Sequence, residues 1–389
     1  MNERLRESAP AALAAAFAAL SFLLPIGVSA GGVELRWPSV AGPFVFACFG
    51  LFAALLLVLR PPRLAGPVLW FAVLCLAAAL APLILLANDV RAALDASAWH
   101  AGFWLYTIAL ALLAFASVHR VAALDAERDA NALARYGALY ATPLLFGAWV
   151  LVFWQLLTRA FEVPQVLLPA PSTVWHSLEA GLPTLAGDFV QTVLHSVLIG
   201  LALGCALGFA VGVLIDRSPF LQRGLLPIAA LASTVPLVGI APIMVMWFGF
   251  DWHSKAAVVV IMTFFPMLVN TLAGLRESGA MERDLMHSYG AGYWRTLVAL
   301  RIPVALPFVF NALKINSTLA MIGAIVAEFF GSPVAGLGFR ISTEAARLNM
   351  GLVWAAILVA ALAGSVLYGL LGWLERRTTF WHPSIRARV

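Results

Sequence analysis

Long runs of apolar residues are the feature of this sequence that most limits its fold. A helix that crosses a bilayer needs about 20 apolar residues, and ten stretches reach roughly that length: 10–30, 41–59, 67–87, 100–118, 137–158, 189–215, 224–250, 255–275, 302–327 and 351–374. The strands of a membrane barrel would be about ten residues long and alternate in polarity. The chain is 62% hydrophobic and 11% charged, whereas about a quarter of the residues in a soluble globule are charged. We therefore predict an all-α integral membrane protein with about ten transmembrane helices.

The basic residues indicate the orientation of these spans. Most of the 24 lysines and arginines fall into loops that a ten-span chain places on one side, and such loops are usually cytoplasmic. We therefore expect both termini and the segment 281–303 in the cytoplasm. This bias accounts for the net charge of +5 without a nucleic-acid partner. The first span also resembles a signal peptide, but its apolar run exceeds the usual length of about 7–15 residues, so we expect it to be retained.

Motifs for catalysis or for metal binding are absent from the sequence. Cys48, Cys75 and Cys205 lie in apolar spans without paired spacing, which indicates neither a disulfide nor a metal site. A G-x-x-x-x-G-K-[ST] phosphate loop and an H-E-x-x-H helix are also missing. The chain is therefore not expected to hydrolyse ATP. A stand-alone secondary transporter, a membrane enzyme and a membrane scaffold remain as alternatives to a transport subunit.

A charged loop at 119–136 divides the spans into four and six. We predict a four-helix N-terminal membrane extension at 1–136, of unassigned role, and a six-helix core at 137–389. Secondary transporters built from repeats show paired broken helices in two similar halves. The division into four and six lacks that symmetry.

The sixth predicted span carries a stripe of small residues. Gly200, Gly204, Gly208 and Gly212 follow each other at intervals of four, which places them on one helix face and allows another helix to approach closely. That helix could belong to the same chain, as internal packing, or to a second copy, as a dimer contact. The sequence leaves both interpretations open.

The ninth predicted span is the most polar. Asn311, Lys314 and Thr318 are spaced i, i+3 and i+7 and share one face. A lysine inside a bilayer costs about 2.5–3.5 kcal/mol on insertion scales, so it should face a cavity or a partner. The face either lines a translocation path or forms a structural polar cluster. Near the other end of this span, Glu328 is either a gate residue or a solvated helix terminus.

The seventh predicted span is interrupted by prolines. Pro227, Pro236 and Pro242 lie within 224–250, and a broken transmembrane helix is tolerated where neighbours or a cavity satisfy its backbone. We assign Ser233 and Pro236 to the translocation path. The alternative is a kinked packing helix.

A polar segment separates the eighth and ninth spans. It reads Asp284-Leu-Met-His-Ser-Tyr-Gly290 and continues to Leu300-Arg-Ile-Pro303. The part around Asp284 favours a helix, and Gly290 allows a turn that other residues resist. On residue chemistry alone this is a cytoplasmic loop followed by a span that begins at Pro303.

Three motifs in order resemble those of the permease subunits of binding-protein-dependent ABC importers. The polar segment resembles the E-A-A-x-x-x-G loop followed by I-x-L-P, with Gly290 and Pro303 in register and Asp284, Leu285 and Met286 replacing Glu-Ala-Ala. Leu168-Pro-Ala-Pro-Ser-Thr-Val-Trp175 is similar to the L-P-[SA]-P-S-x-V-W signature of nitrate, sulfonate, taurine, riboflavin and thiamine-precursor permeases. The Trp-Phe-Gly ending of the seventh span is typical of the same group. On residue chemistry alone, the Leu168–Trp175 motif is an interfacial turn in which Ser172 caps a short helix.

The resemblance implies a type I importer core that works as a dimer, expected here to be a homodimer, in a bacterial inner membrane. Two cytoplasmic ATP-binding subunits would hold ATP and Mg²⁺, and an extracytoplasmic solute-binding protein would deliver the solute. The coupling helix would dock in a groove of the ATPase, a helix-in-groove contact, through Asp284, Leu285, Met286, Gly290, Ala291 and Pro303. The implied substrate is a pyrimidine thiamine precursor or riboflavin, or else nitrate, a sulfonate or taurine. The resemblance does not extend to residues 1–136.

Overall fold

The computed structural model describes residues 2–28, 34–39, 45, 47–48, 50–53, 98–125, 132–218, 220–224, 227, 236–331 and 335–381. Contacts divide the chain into two compact units, Met1–Ser172 and Thr173–Val389. The helix Ala132–Ala160, which the sequence assigned to the core, lies in the first unit. The predicted boundary near residue 136 stays a prediction.

The first unit is mainly helical. Its described elements are α1 (Asn2–Leu23), β1 (Gly27–Val28), β2 (Glu34–Leu35), a 3-10 turn (Trp37–Ser39), β3 (Ala98–Trp99), α2 (Ala101–Asp125) and α3 (Ala132–Ala160). The two-residue strands form an antiparallel sheet in the order β2-β1-β3. The helical class predicted from the sequence is confirmed. The small sheet is an addition to it, since pairs so short carry no periodicity that the sequence could reveal.

The core of the first unit joins α1, α2 and α3. The alanines of α1 at positions 11, 14 and 18 are buried, and their spacing places them on the face that packs against α2. Trp37 is fully buried, with its ring 4.9 Å from that of Tyr106. The hydroxyl of Tyr106 donates to the carbonyl of Ala47 at 3.1 Å. An aromatic side chain with a polar tip is therefore both packed and hydrogen-bonded.

The second unit contains the remaining described elements. They are α4 (Pro171–Phe189), the π-helical segment π1 (Val190–Leu198), α5 (Ile199–Arg217), α6 (Leu237–Phe248), α7 (Trp252–Arg276), α8 (Ala280–Ser288), α9 (Tyr293–Thr296), the π-helical segment π2 (Leu297–Arg301), α10 (Ile302–Gly331), α11 (Leu337–Ala346) and α12 (Met350–Thr378). Helix α4 begins two residues before the division between the units.

The glycine stripe of α5 packs against α7. A Cβ atom added at Gly200 would lie 2.6 Å from the Cβ of Val259, and one at Gly212 would lie 2.9 Å from a methyl of Thr271. Gly204 faces Thr263 in the same way. Helices that approach so closely leave no room for side chains. The internal-packing interpretation of the stripe is therefore confirmed.

A buried asparagine ties a third helix to this pair. The side-chain amide of Asn316 in α10 donates to the carbonyl of Thr263 in α7 at 2.7 Å and to the sulfur of Cys205 in α5 at 3.2 Å. Interhelical hydrogen bonds of this kind hold helices together where lipid offers no hydrophobic drive. Helices α5, α7 and α10 thus form the centre of the second unit.

Six helices in the described residues are long and apolar enough to cross a membrane. They are Ala101–His119, Pro143–Ala160, Pro171–Arg217, Trp252–Arg276, Tyr293–Gly331 and Met350–Thr378, with shorter apolar helices at Ala9–Leu23 and Gly239–Phe248. The span predicted at 67–87 lies outside the described residues, as does Cys75, and the one at 41–59 does so except for a few positions. A multi-pass helical membrane protein is confirmed, while ten helices stay a prediction.

Two predicted helix boundaries are wrong. The short helix expected after Pro171 continues through π1 and α5 to Arg217. Its first turn is capped by Gln155, whose side-chain oxygen accepts from the backbone N–H of Ser172 at 3.0 Å, so Ser172 is not the cap. The span expected to begin at Pro303 begins at Tyr293, because the π2 turn just before the proline lets the helix continue despite the missing N–H donor.

Candidate functional site

The coupling segment predicted from the sequence forms a short exposed helix. Helix α8 spans nine residues and buries none of its side chains. Asp284 and Leu285 are exposed, and Met286 and Ala291 are half-buried. Met281, Leu285 and Tyr289 lie four residues apart and are 82%, 56% and 81% exposed. They form an apolar stripe, the kind of face that a helix presents to a groove.

Gly290 ends α8 in a left-handed turn. Its φ is +70°, which glycine adopts without steric cost. The N–H of Ala291 donates to the carbonyl of Met286 at 3.0 Å, and the N–H of Gly290 donates to that of His287 at 2.9 Å. This bond pair is the Schellman motif, which satisfies the last carbonyls of a helix. The turn predicted at Gly290 is confirmed.

A buried ion pair, formed by an arginine that follows α8 in the chain, connects three helical elements. The guanidinium of Arg301 donates to both carboxylate oxygens of Asp216, at 2.7 and 2.8 Å. It also donates through Nε and Nη2 to the carbonyl of Leu275, at 3.0 and 2.9 Å. The side chains of Arg301 and Asp216 are 14% and 8% exposed. Arg301 thereby links the end of π2 to the carboxyl-terminal ends of α5 and α7.

A second buried cluster lies at the opposite end of α10, which is about 45 Å long at the usual helical rise. The first N–H groups of α11 have no partner within their own helix, and side chains from α4, π1 and α10 accept them. The pairs are Gly336 with Asp188 (2.8 Å), Leu337 with Thr192 (2.8 Å) and Gly338 with Glu328 (2.7 Å). These side chains hold the start of α11 against three other elements.

Glu328 belongs to this cluster and is only 1% exposed. Its other carboxylate oxygen accepts from the hydroxyl of Thr192 at 2.7 Å. The solvated-terminus interpretation of Glu328 is therefore wrong, because the chain folds back through α11 and covers it. Nearby, Lys255 is fully buried and donates to the backbone carbonyls of Phe250, Asp251 and Gly331.

The polar face of α10 is only partly covered. Asn311 and Thr318 are exposed, and the Asn311 amide donates to the side-chain oxygen of Asn270 in α7 at 3.4 Å. Lys314 forms a salt bridge of 2.8 Å with Glu375 in α12, with the two side chains 20% and 17% exposed. The salt bridge supplies the partner that a lysine within a span requires. It fits a structural cluster, whereas the exposed amide and hydroxyl fit a path.

The structure describes the other predicted path residues only in part. Pro236 is exposed and directly precedes α6 with an extended backbone, so α6 begins after it, whereas Pro242 lies within α6. Ser233 lies outside the described residues. Glu328 follows Thr318 by about three helical turns. The structure thus places Asn311, Lys314 and Thr318 together on α10, with Glu328 further along the same helix.

The partners of these charged groups were not predicted from the sequence. Asp188 and Asp216 lie just outside the two ends of the sixth predicted span, and Arg301 lies just before the ninth. Ionisable residues at span ends are a usable signal, but pairing requires the fold: Asp216 and Arg301 are 85 residues apart. Within the described residues, no cluster of His, Cys, Asp or Glu could hold a metal ion.

Comparison with known proteins agrees with the fold and the motifs. Residues 200–380 match the family of the binding-protein-dependent transport system inner membrane component. The chain is 35% identical over 242 residues to the riboflavin transport system permease protein of Chloroflexus aurantiacus, which covers 60% of this chain and 88% of the relative. It is 31% identical to the formylaminopyrimidine transport permease protein of Halalkalibacterium halodurans (61% and 95%) and 27% identical to the taurine transport system permease protein of Escherichia coli (61% and 86%). The chain belongs to the family of inner-membrane permease components of binding-protein-dependent ABC transport systems.

Proposed function

We propose that this permease subunit couples solute import to ATP hydrolysis on a partner by docking α8 into a groove of a cytoplasmic ATPase. The observation that carries the proposal is the exposed apolar stripe of Met281, Leu285 and Tyr289, on a helix ended by a glycine turn. A helix that leaves its apolar side chains uncovered by the described part of the chain is suited to a helix-in-groove contact. ATP and Mg²⁺ belong to the partner, because the sequence has no phosphate loop.

The proposed assembly has two copies of this chain, two ATPase subunits and one solute-binding protein. The membrane is a bacterial inner membrane, with both termini and α8 on the cytoplasmic side. Since α11 lies at the opposite end of α10, the binding protein docks on the side of α11. The N-terminal extension is a scaffold for this assembly.

The proposed translocation path follows the polar face of α10. An exposed Asn311 amide and Thr318 hydroxyl would be costly to leave facing lipid. Facing each other across two copies of the chain, they would line a hydrated path. Lys314 lies on this face, and Glu328 lies towards its outer end. We keep Ser233 and Pro236 as further candidates for the path on the ground of the sequence alone.

The charges on this face balance each other, which favours an uncharged substrate. The ammonium of Lys314 is balanced by Glu375, and Asn270, Asn311 and Thr318 carry no charge. A face with hydrogen-bonding groups and no net charge favours a neutral, polar heterocycle over an anion. We therefore propose riboflavin or an aminopyrimidine thiamine precursor as the substrate class, rather than nitrate or a sulfonate.

The docking proposal is tested by a matched pair of variants in cells that co-express the partner ATPase. Leu285→Glu places a charge in the stripe and should abolish co-purification of the ATPase. Leu348→Glu changes a residue of similar exposure, 61% against 56%, at the α11 end and should leave co-purification intact. Equal recovery of the ATPase with both variants would contradict the proposal.

The substrate proposal is tested separately. In a fluorescence titration, the partner solute-binding protein should bind riboflavin or formylaminopyrimidine and should show no binding of taurine. Proteoliposomes that hold the complete complex should take up the same compound only with ATP inside. Uptake without ATP would indicate a secondary transporter instead.

A further inference from the structure

Helix α8 is connected to the rest of the chain at its two ends, and Arg301 takes part in both connections. The chain enters α8 from the end of α7, where Leu275 lies, and leaves it through α9 and π2, where Arg301 lies. The hydrogen bonds from the Arg301 guanidinium to the carbonyl of Leu275 join these two points across 26 residues. The two ends of the segment that carries α8 are therefore held together by hydrogen bonds.

The same guanidinium fixes this loop to a third helix. Asp216 is the second-last residue of α5, and it accepts a two-pronged ion pair from Arg301. The hydroxyl of Tyr293, at the start of α9, donates to the same carboxylate at 3.2 Å. Asp216 thus holds the segment after α8 at both of its ends.

Apolar and aromatic contacts fill the space around this joint. Leu275, Leu297 and Ala305 are buried together. Arg217 lies over the ring of Trp294, with its guanidinium carbon 5.1 Å from the ring centroid. A Cβ atom added at Gly274 would lie 2.9 Å from Ala305, so α7 and α10 are in close contact at this level. The joint has little freedom to deform, whereas α8 buries none of its side chains among the described residues.

We propose that Arg301, with Asp216 and Tyr293, forms the rigid joint that passes a displacement of α8 to α5, α7 and α10 together. They are positioning residues, and the inference rests on the proposed docking of α8. A lysine could not replace Arg301, because one ammonium group lacks the planar fork that serves a carboxylate and a carbonyl at the same time. Without the joint, movement of α8 would be absorbed by the loops on either side of it.

The test uses the complete complex of permease, ATPase and loaded binding protein. Arg301→Lys keeps the charge and removes the fork. We expect unchanged assembly with the ATPase and unchanged basal ATP hydrolysis, together with a modest loss of thermal stability, because lysine cannot make all the hydrogen bonds of the guanidinium. Stimulation by loaded binding protein should fall about tenfold, a value within the usual range of coupling between two sites. Uptake per ATP hydrolysed should fall with it. The matched control is Arg276→Lys, an exposed arginine next to Leu275, which should retain full stimulation.

A milder variant covers the case in which Arg301→Lys does not fold. Tyr293→Phe removes one hydroxyl and should lower stimulated hydrolysis while leaving assembly and basal hydrolysis unchanged. Wild-type stimulation in both variants would overturn the proposed joint. Loss of the ATPase from the complex in both variants would overturn it as well, since the residues would then act in assembly and not in coupling. If the wild-type complex itself neither binds the ATPase nor responds to binding protein, the proposed function fails instead.

Discussion

At the scale of single residues, Gly290 offers the sharpest test, because its constraint is conformational and not chemical. Any other residue at φ +70° costs about 1–2 kcal/mol, and a β-branched one is the least tolerated. Gly290→Val should therefore misdirect α8, so that the purified complex loses the ATPase or loses stimulated hydrolysis. Asp284→Asn should have a smaller effect, since an exposed charge contributes about 0.2–1 kcal/mol.

The control for Gly290 lies two residues further on. Gly292 has φ −70° and ψ 171°, a backbone that any residue adopts, and a Cβ there would meet nothing within 4 Å. Gly292→Val should therefore retain assembly and stimulation. If the Gly290 variant keeps the ATPase and its stimulated hydrolysis at the wild-type level, the turn is not needed for coupling.

Lys314 gives a second prediction at this scale. Lys314→Met leaves Glu375 partly buried without its partner, and an unsatisfied group of this kind costs roughly 1–3 kcal/mol, less to the extent that solvent reaches it. The thermal stability of the variant should fall, and Lys314→Met with Glu375→Met should recover most of it. Transport is then measured in the double variant, in which stability no longer confounds the result. Uptake at the wild-type rate and affinity would show that Lys314 is structural and not part of the path.

The sequence could identify Lys314 as unusual, since a charge within an apolar run is visible without a structure. Its partner could not be identified, because Glu375 is 61 residues away and was one of several acidic residues near span ends. The left-handed turn at Gly290 was predictable because glycine itself signals it. The burial of Glu328 was not, since it depends on where α11 folds back.

At the scale of elements, the contact of α5 with α7 predicts a strong effect of one added side chain. Gly204→Val would push a branched side chain into Thr263 and to within 2.9 Å of the carbonyl of Val260. Overpacking usually costs about 1–3 kcal/mol, and here a backbone atom must move. We expect a lower yield and a lower melting temperature in detergent. Gly364→Val in α12, where a Cβ would meet nothing within 4 Å, should behave like the wild type.

Element lengths were harder to predict than element positions. The sequence separated the short helix at Pro171 from the following span because apolar and polar stretches alternate there. In the structure both belong to one helix of 47 residues. The π segments had no sequence signal either, although they carry Thr192 and Arg301, which serve the two buried clusters. π-Helical turns are often found at functional sites, so the two clusters agree with that tendency.

At the scale of the whole molecule, the two ends of α10 predict which loops face which side of the membrane. Ser288 ends α8, and Leu348 follows α11, so about 45 Å of helix separates them. In a background without native cysteines, Ser288→Cys should react with an impermeant maleimide only from the cytoplasmic side. Leu348→Cys should react only from the outside. Reaction of both from one side would contradict the proposed topology.

The division into two units leads to the last prediction. The coupling helix, the joint and the polar face of α10 all lie within the second unit, which has its own buried clusters. A chain that starts near Asp129 removes α1 and α2 and keeps α3, whose Trp149 and Leu156 are buried in the core of the first unit. Within a membrane these side chains can face lipid at little cost. This shortened chain should therefore insert, and should co-purify with the ATPase and show stimulated hydrolysis.

A second truncation, starting at Thr173, serves as the comparison and removes α3 as well. If the chain that starts near Asp129 functions and the chain that starts at Thr173 does not, α3 belongs to the permease core, as the predicted boundary near residue 136 requires. Function in both would move that boundary to the division at Ser172. If the chain that starts near Asp129 fails to insert, α3 cannot replace its contacts with the preceding helices by contacts with lipid. The first four predicted spans would then be part of the core and not an extension.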